Sequence, residues 1–105
     1  MKSGDEMTGA LQDRVAIVTG GGKGMGEATA QLFAAQGAAV VVADIDEAAG
    51  LRTAERIADA GGRAAFVRTD VSDEAAVSAM GAFAVDRFGR LDCAVNNAAT
   101  MPHML

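Results

Sequence analysis

The sequence has no tryptophan and no tyrosine, and phenylalanine supplies all of its 4% aromatic content. Its core must therefore be built from Val, Ile, Leu, Ala and Met. One proline against thirteen glycines excludes a proline-rich linker and a collagen-like repeat. The single cysteine, Cys93, has no internal disulfide partner, which fits a reducing compartment. Basic residues never run together and the net charge is −5, so neither nucleic acid nor an anionic membrane is an expected partner. No apolar run is long enough to span a bilayer. Met1 to Asp13 carries one Lys and no apolar stretch, so it is not a signal peptide. A cytoplasmic location is the default expectation.

What remains is an ordinary globular composition in 105 residues, enough for one domain at most. Residues 1–13 are polar and aperiodic and read as a mobile leader. A partial dinucleotide-binding domain is expected over 14–105. Val15 to Val18 is a continuous apolar run, the mark of a strand buried on both faces. Ala39–Ala43 and Ala64–Val67 repeat that signal, and Leu91–Val95 is a fourth strand.

Three helices alternate with these strands. The first runs from Gly24 or Gly26 to Gln36, with Ala28, Leu32 and Ala35 on one face and Phe33 beside them. The second covers Asp46–Ala60, with Leu51, Ala54 and Ala58 on one side. The third covers Asp73–Phe88, with Val77, Met80, Ala84 and Phe88 in register. Gly37, Gly61 and Gly89 are the expected stops. The order β-α-β-α-β-α-β implies an α/β fold, a Rossmann-like doubly wound parallel sheet. Nothing in Thr100–Leu105 resembles a further helix or strand, so the sheet reads as truncated after its fourth strand.

Five glycines fall within seven residues between the first strand and the first helix: Gly20, Gly21, Gly22, Gly24 and Gly26. Glycine lets the backbone approach a ligand, and the helix start beyond it offers free N–H groups and about half a positive charge. Together they form a site for a pyrophosphate. The spacing is neither G-x-G-x-x-G nor Walker A, because Met25 and Gly24 occupy the deciding positions. It is T-G-x-x-x-G-x-G, from Thr19 to Gly26.

Asp44 closes the second strand, near the point about 20 residues past the loop where an acid binds adenosine ribose hydroxyls. Its charge also repels a 2′-phosphate, which favours NAD over NADP. Asp44-x-x-Glu47 reads equally as a helix cap, but Asp46 can serve as that cap and free Asp44. Lys23 pulls the other way, since a cation in the loop can accept a 2′-phosphate. Asp70-Val71 follows the third strand and Asn97 the fourth, both at strand ends where ligands bind in such sheets. Asp70 can accept from the adenine amino group while Val71 packs on the ring, or it can simply serve the loop before the helix at Asp73. Asn97 can tie strand ends together or touch the ribose. Ala98 and Ala99 leave room for a flat ligand.

These segments together resemble the N-terminal half of the short-chain dehydrogenase/reductase family. The residues that carry the resemblance are Arg14 to Gly26, Asp44, Asp70-Val71 and Leu91 to Ala99. The resemblance implies an NAD(P)-dependent oxidoreductase acting on an alcohol or carbonyl substrate. The cofactor-binding set is then Gly20, Gly22, Lys23, Gly24, Met25, Gly26, Asp44, Ile45, Asp70, Val71, Asn97, Ala98 and Ala99. The family pattern N-N-A-G ends here in Ala99. The family's Tyr-x-x-x-Lys pair and Ser are expected beyond the fourth strand. The sequence contains no Tyr, and Ser72 and Ser78 fall elsewhere, so no catalytic residue is carried over. Cys93 reads as a small core residue, His103 as a bystander, and no cluster has metal-ligand spacing. Two other readings stay open. One is a freestanding, non-catalytic nucleotide-binding module. The other is an inactive remnant that self-associates through its fourth strand.

Overall fold

Val15–Thr19 forms strand β1, and all five of its residues are buried. The computed structural model describes residues 9–97, so Ala98, Ala99, His103 and residues 1–8 lie outside the described residues. After β1 come helix α1 (Gly24–Ala35), β2 (Ala39–Asp44), α2 (Glu47–Asp59), β3 (Arg63–Arg68), α3 (Glu74–Phe88) and β4 (Cys93–Asn96). The strands form one parallel sheet in the order β3-β2-β1-β4. Parallel neighbours cannot be joined by a tight turn, so each helix is a crossover. The α/β architecture expected from the alternating pattern is the one observed.

Alternate residues of the central strands serve opposite faces. Val15, Ile17, Ala39 and Val41 pack with Met80 and Ala84 of α3, and Val77 and Phe88 flank them. Val18, Val40 and Val42 pack with Ala30 of α1 and Ile57 of α2 on the other face. Burial on both sides is why β1 and β2 read as continuous apolar runs. Gly37, Gly61 and Gly89 all have positive φ and end their helices as expected.

Only part of the expected faces of the first two helices is buried: Phe33 of α1 and Ala54 of α2 pack on the core. Leu32 is 56% exposed and Leu51 43% exposed, while Ala28, Ala35 and Ala58 face solvent. α1 instead buries Gly26 and Ala30, and α2 buries Ala49, Gly50, Thr53 and Ile57. Small residues let each helix approach the sheet closely. At Gly50 an added Cβ would lie 2.1 Å from the Phe66 ring of β3. The α3 face is the expected one.

Three further expectations are corrected. The leader does not extend to Asp13: the Leu11 N–H donates to the Gln36 carbonyl at 2.8 Å, and the Leu11 side chain packs on the core. The fourth strand begins at Cys93 rather than Leu91. Cys93 is exposed rather than a core residue, because β4 is the outermost strand beside β1.

Asp92, just before β4, extends the β1–β4 ladder through its side chain. Its Oδ2 accepts from the Val15 N–H at 2.8 Å, and its own N–H donates to the Val15 carbonyl at 2.9 Å. Arg90 donates to Oδ1 at 2.7 Å and Arg14 lies 3.6 Å away. The hydrogen bond from Arg90, then that from Val15, holds the Asp92 carboxyl below the usual carboxylate range. A depressed folded pKa adds stability that is full above the unfolded value and is lost as pH falls through the folded one. Asp92→Asn should therefore be less stable than the parent at neutral pH, with the gap closing below about pH 4. Urea unfolding from neutral pH to pH 3 reads this. An equal gap at every pH would show that Asp92 holds its partners without its charge.

Candidate functional site at the carboxyl ends of the strands

The chain leaves β1 at Thr19, passes through the glycine loop and enters α1. Gly20 takes the left-handed conformation, φ 64°, and the Gly21 N–H reaches the Ala43 carbonyl of β2 at 3.3 Å. Gly26 lies in the first turn of α1 directly against the loop. A Cβ there would sit 1.9 Å from the Gly20 carbonyl oxygen, so only hydrogen fits. The loop thus closes on the helix start, with Gly21, Gly22 and Gly26 buried. Lys23, Gly24 and Met25 are exposed on its outer side.

No side chain caps α1. By contrast, Asp46 caps α2 by accepting from the Ala49 N–H, and Asp73 caps α3 by accepting from Ala75 and Ala76. The start of α1 therefore keeps its first N–H groups and its partial positive charge available for an external anion.

Asp44 stands one strand away, half-buried at the end of β2. It is not the cap of α2; Asp46 is. The Asp44 Oδ2 accepts from the Gly22 N–H at 2.9 Å, and Oδ1 accepts from the Asp46 N–H at 2.9 Å. The carboxylate therefore pins the glycine loop to β2. An ionised carboxylate has about four acceptor sites, so it retains capacity for ribose hydroxyls. Ile45 is exposed beside it.

Lys23 reaches from the loop to Asp46, with Nζ 3.1 Å from Oδ2. The Asp46 carboxyl is held below its usual range, first by the Ala49 N–H and then by Lys23. Sequence reasoning found Asp46 as a cap and Lys23 as a loop cation but not their pairing, because the two meet only when β1 and β2 lie side by side.

Asp70 and Val71 follow β3. The Asp70 Oδ1 accepts from both the N–H and the hydroxyl of Ser72, at 3.0 and 2.7 Å. These bonds, the hydroxyl's first, hold its carboxyl below the usual range. Asp73 rather than Asp70 caps the helix that follows. Val71 is half-buried.

Thr19, 3% exposed, completes the site and was not among the residues expected to form it. Its Oγ1 accepts from the Asn97 N–H at 3.1 Å and lies 3.3 Å from the Val95 carbonyl, so it fastens β1 to the end of β4. The threonine that opens the glycine motif is the signal that could have found it. The Nδ2 of Asn97 is buried with no partner among the described residues.

The glycine loop, Asp44, Asp70-Val71 and Asn97 thus share one edge, because all four strands are parallel and all four segments follow strand ends. The chain moves outward from β1 to β2 and β3, then crosses back to β4 on the other side of β1. In such sheets ligands bind where the order reverses. A separate cavity of about 510 Å³, lined by Gln31, Ala34, Arg56 and Gly62 among others, lies between the later turns of α1 and α2. It gathers none of these residues. Among the described residues no helix is long and apolar enough to cross a membrane. Among those residues no group of three or more His, Cys, Asp or Glu is placed to hold a metal.

Residues 14–104 match the family model for short chain dehydrogenases. An uncharacterized oxidoreductase of Thermotoga maritima is 50% identical over 91 residues, 87% of this chain and 36% of that protein. A hydroxysteroid dehydrogenase from Escherichia coli superposes with a TM-score of 0.82 at 38% identity, over 89% of this chain and 43% of the other. A short chain dehydrogenase/reductase from Burkholderia phymatum, solved in complex with NAD, gives 0.78 at 39% identity, over 80% and 30%. The chain spans about a third of the length of the curated relatives it matches, between 34% and 39%. With the glycine loop, the parallel sheet and the family match in agreement, the chain belongs to the short chain dehydrogenase family.

Proposed function

We propose that this chain is the cofactor-binding part of an NAD-dependent oxidoreductase of the cytoplasm, acting on an alcohol or carbonyl substrate. The observation that carries the proposal is the uncapped, glycine-lined start of α1 beside the Asp44 carboxylate. Free N–H groups at that helix start hold the pyrophosphate. Gly26 keeps the loop close enough to the helix for those donors to converge. Asp44 accepts from the adenosine ribose hydroxyls through its remaining lone pairs. Asp70 accepts from the adenine amino group, and Val71 packs on the ring. Asn97 sits beside β1 and offers its Nδ2 donor. When bound, the nicotinamide group supplies or accepts the hydride.

NAD is favoured over NADP on this reading, because a 2′-phosphate would face the Asp44 carboxylate. The exposed outer side of β4 is where a second copy of the chain can add. Isothermal titration of the protein with NAD and with NADP tests the proposal. Saturable binding of NAD, at least several-fold tighter than NADP, is the expected result. No saturable binding of either would overturn the nucleotide site, and tighter NADP would overturn the ribose role of Asp44.

A further inference from the structure

We infer that Asp46 is a specificity-determining residue: by holding Lys23, it withholds the one loop cation that would otherwise receive a 2′-phosphate. The inference rests on the proposed nucleotide site and adds a second layer to its discrimination.

Two charged groups border the expected ribose position, and they oppose each other. Asp44 closes β2 and repels a phosphate there. Lys23 is the N-terminal cap residue of α1, at the rim of the same loop. An unengaged ammonium at that point would attract a 2′-phosphate and work against Asp44. The ammonium is engaged instead, 3.1 Å from Asp46 Oδ2. Asp46 divides its two oxygens between tasks: Oδ1 accepts from the Ala49 N–H and caps α2, and Oδ2 takes Lys23. The Asp46 N–H in turn donates to Asp44 Oδ1 at 2.9 Å. The two acids and the lysine form one chain of contacts from the loop to the ribose end of β2.

The geometry separates the cap from the clamp. Asn caps a helix as well as Asp does, so Asp46→Asn keeps the Ala49 bond and the fold. It removes only the negative charge that holds Lys23. Both partners are exposed, at 69% and 39%, so the pair is a surface ion pair of modest strength. Its loss should change availability of the lysine by about fivefold, not by orders of magnitude.

The probes are ADP and 2′-phospho-ADP, which carry the same 5′-diphosphate and differ only in the 2′-phosphate. The full protein is titrated with each. The ratio of 2′-phospho-ADP to ADP affinity should rise about fivefold in Asp46→Asn. Adding Lys23→Met in that background should remove the rise. An unchanged ratio with ADP binding intact overturns the clamp and leaves the nucleotide site standing. A rise that survives loss of Lys23 also overturns it, since the effect is then only the removed charge of Asp46. Failure of the unsubstituted protein to bind ADP overturns the nucleotide site and the clamp with it. A thermal melt of Asp46→Asn lowered by no more than the loss of a surface ion pair verifies that the cap is kept.

Discussion

Gly26→Ala should abolish useful cofactor binding and lower the stability of the fold together. Gly to Ala within a helix ordinarily stabilises by about 1 kcal/mol, because glycine loses more backbone entropy. Here the added methyl would lie 1.9 Å from the Gly20 carbonyl oxygen and 2.7 Å from its carbon. Backbone on that side cannot rotate away as a side chain can. The loop must lift from the helix, at a penalty of about 3 kcal/mol from overpacking. Lifting it also misaims the N–H groups offered to the pyrophosphate. Loss of two charge-assisted hydrogen bonds of about 1.5 kcal/mol each is roughly a 100-fold loss of affinity for NAD.

Gly24→Ala is the informative control. Gly24 has φ 55°, but a Cβ there would meet nothing within 4 Å. Only the left-handed backbone is penalised, at about 1 kcal/mol. Urea midpoints and NAD titrations should rank the parent first, Gly24→Ala second and Gly26→Ala last. Equal losses in the two variants would make conformation, not contact, the reason for glycine at position 26.

Asp44→Ala should have the second largest effect, again on two properties at once. Its carboxylate serves the N–H groups of Gly22 and Asp46. Removing it strands two donors at a half-buried position, at about 1–3 kcal/mol for each donor that water does not reach. On the proposed reading it also removes the acceptor for the ribose and the charge that repels a 2′-phosphate. NAD should bind at least about tenfold more weakly, while NADP should lose less or gain, so that the preference narrows. Asp44→Asn separates the parts. Its amide keeps one acceptor oxygen for one of the two donors and loses the charge. Lower stability with an unchanged NAD to NADP ratio would reduce Asp44 to an anchor for the loop.

The double duty of Asp44 marks the boundary between what was legible in the chain and what was not. Its place at the end of a strand, downstream of a glycine loop, is a matter of local order and spacing. So are the three helix stops at Gly37, Gly61 and Gly89, and the apolar runs of β1 and β2. Each depends on residues near one another in sequence, and each reads correctly. The α3 face also reads correctly: Met80 and Ala84 are buried and Val77 and Phe88, in register with them, are half-buried against the same core.

The faces of α1 and α2 read correctly only in part. Leu32 and Leu51 were expected inside and are exposed, while Gly26, Ala30, Gly50 and Ile57 turn inward, and Phe33 and Ala54 pack on the core as expected. The distance of closest approach between helix and sheet decides that, and it belongs to the packed pair. Cys93 follows the same logic in reverse. Its strand is apolar enough for a core, but its position outside β1 leaves it exposed.

The sequence by itself therefore determined the order of elements, the parallel sheet and which segments follow the carboxyl ends of its strands. Tertiary structure alone decided that Leu32 of α1 and Leu51 of α2 stay exposed, that Asp44 grips Gly22, that Lys23 meets Asp46 and that Thr19 fastens Asn97. The reason is physical. Propensity, capping and turn chemistry act over a few residues, whereas these contacts join positions 22 to 78 residues apart that become neighbours only when β2 and β4 close on either side of β1.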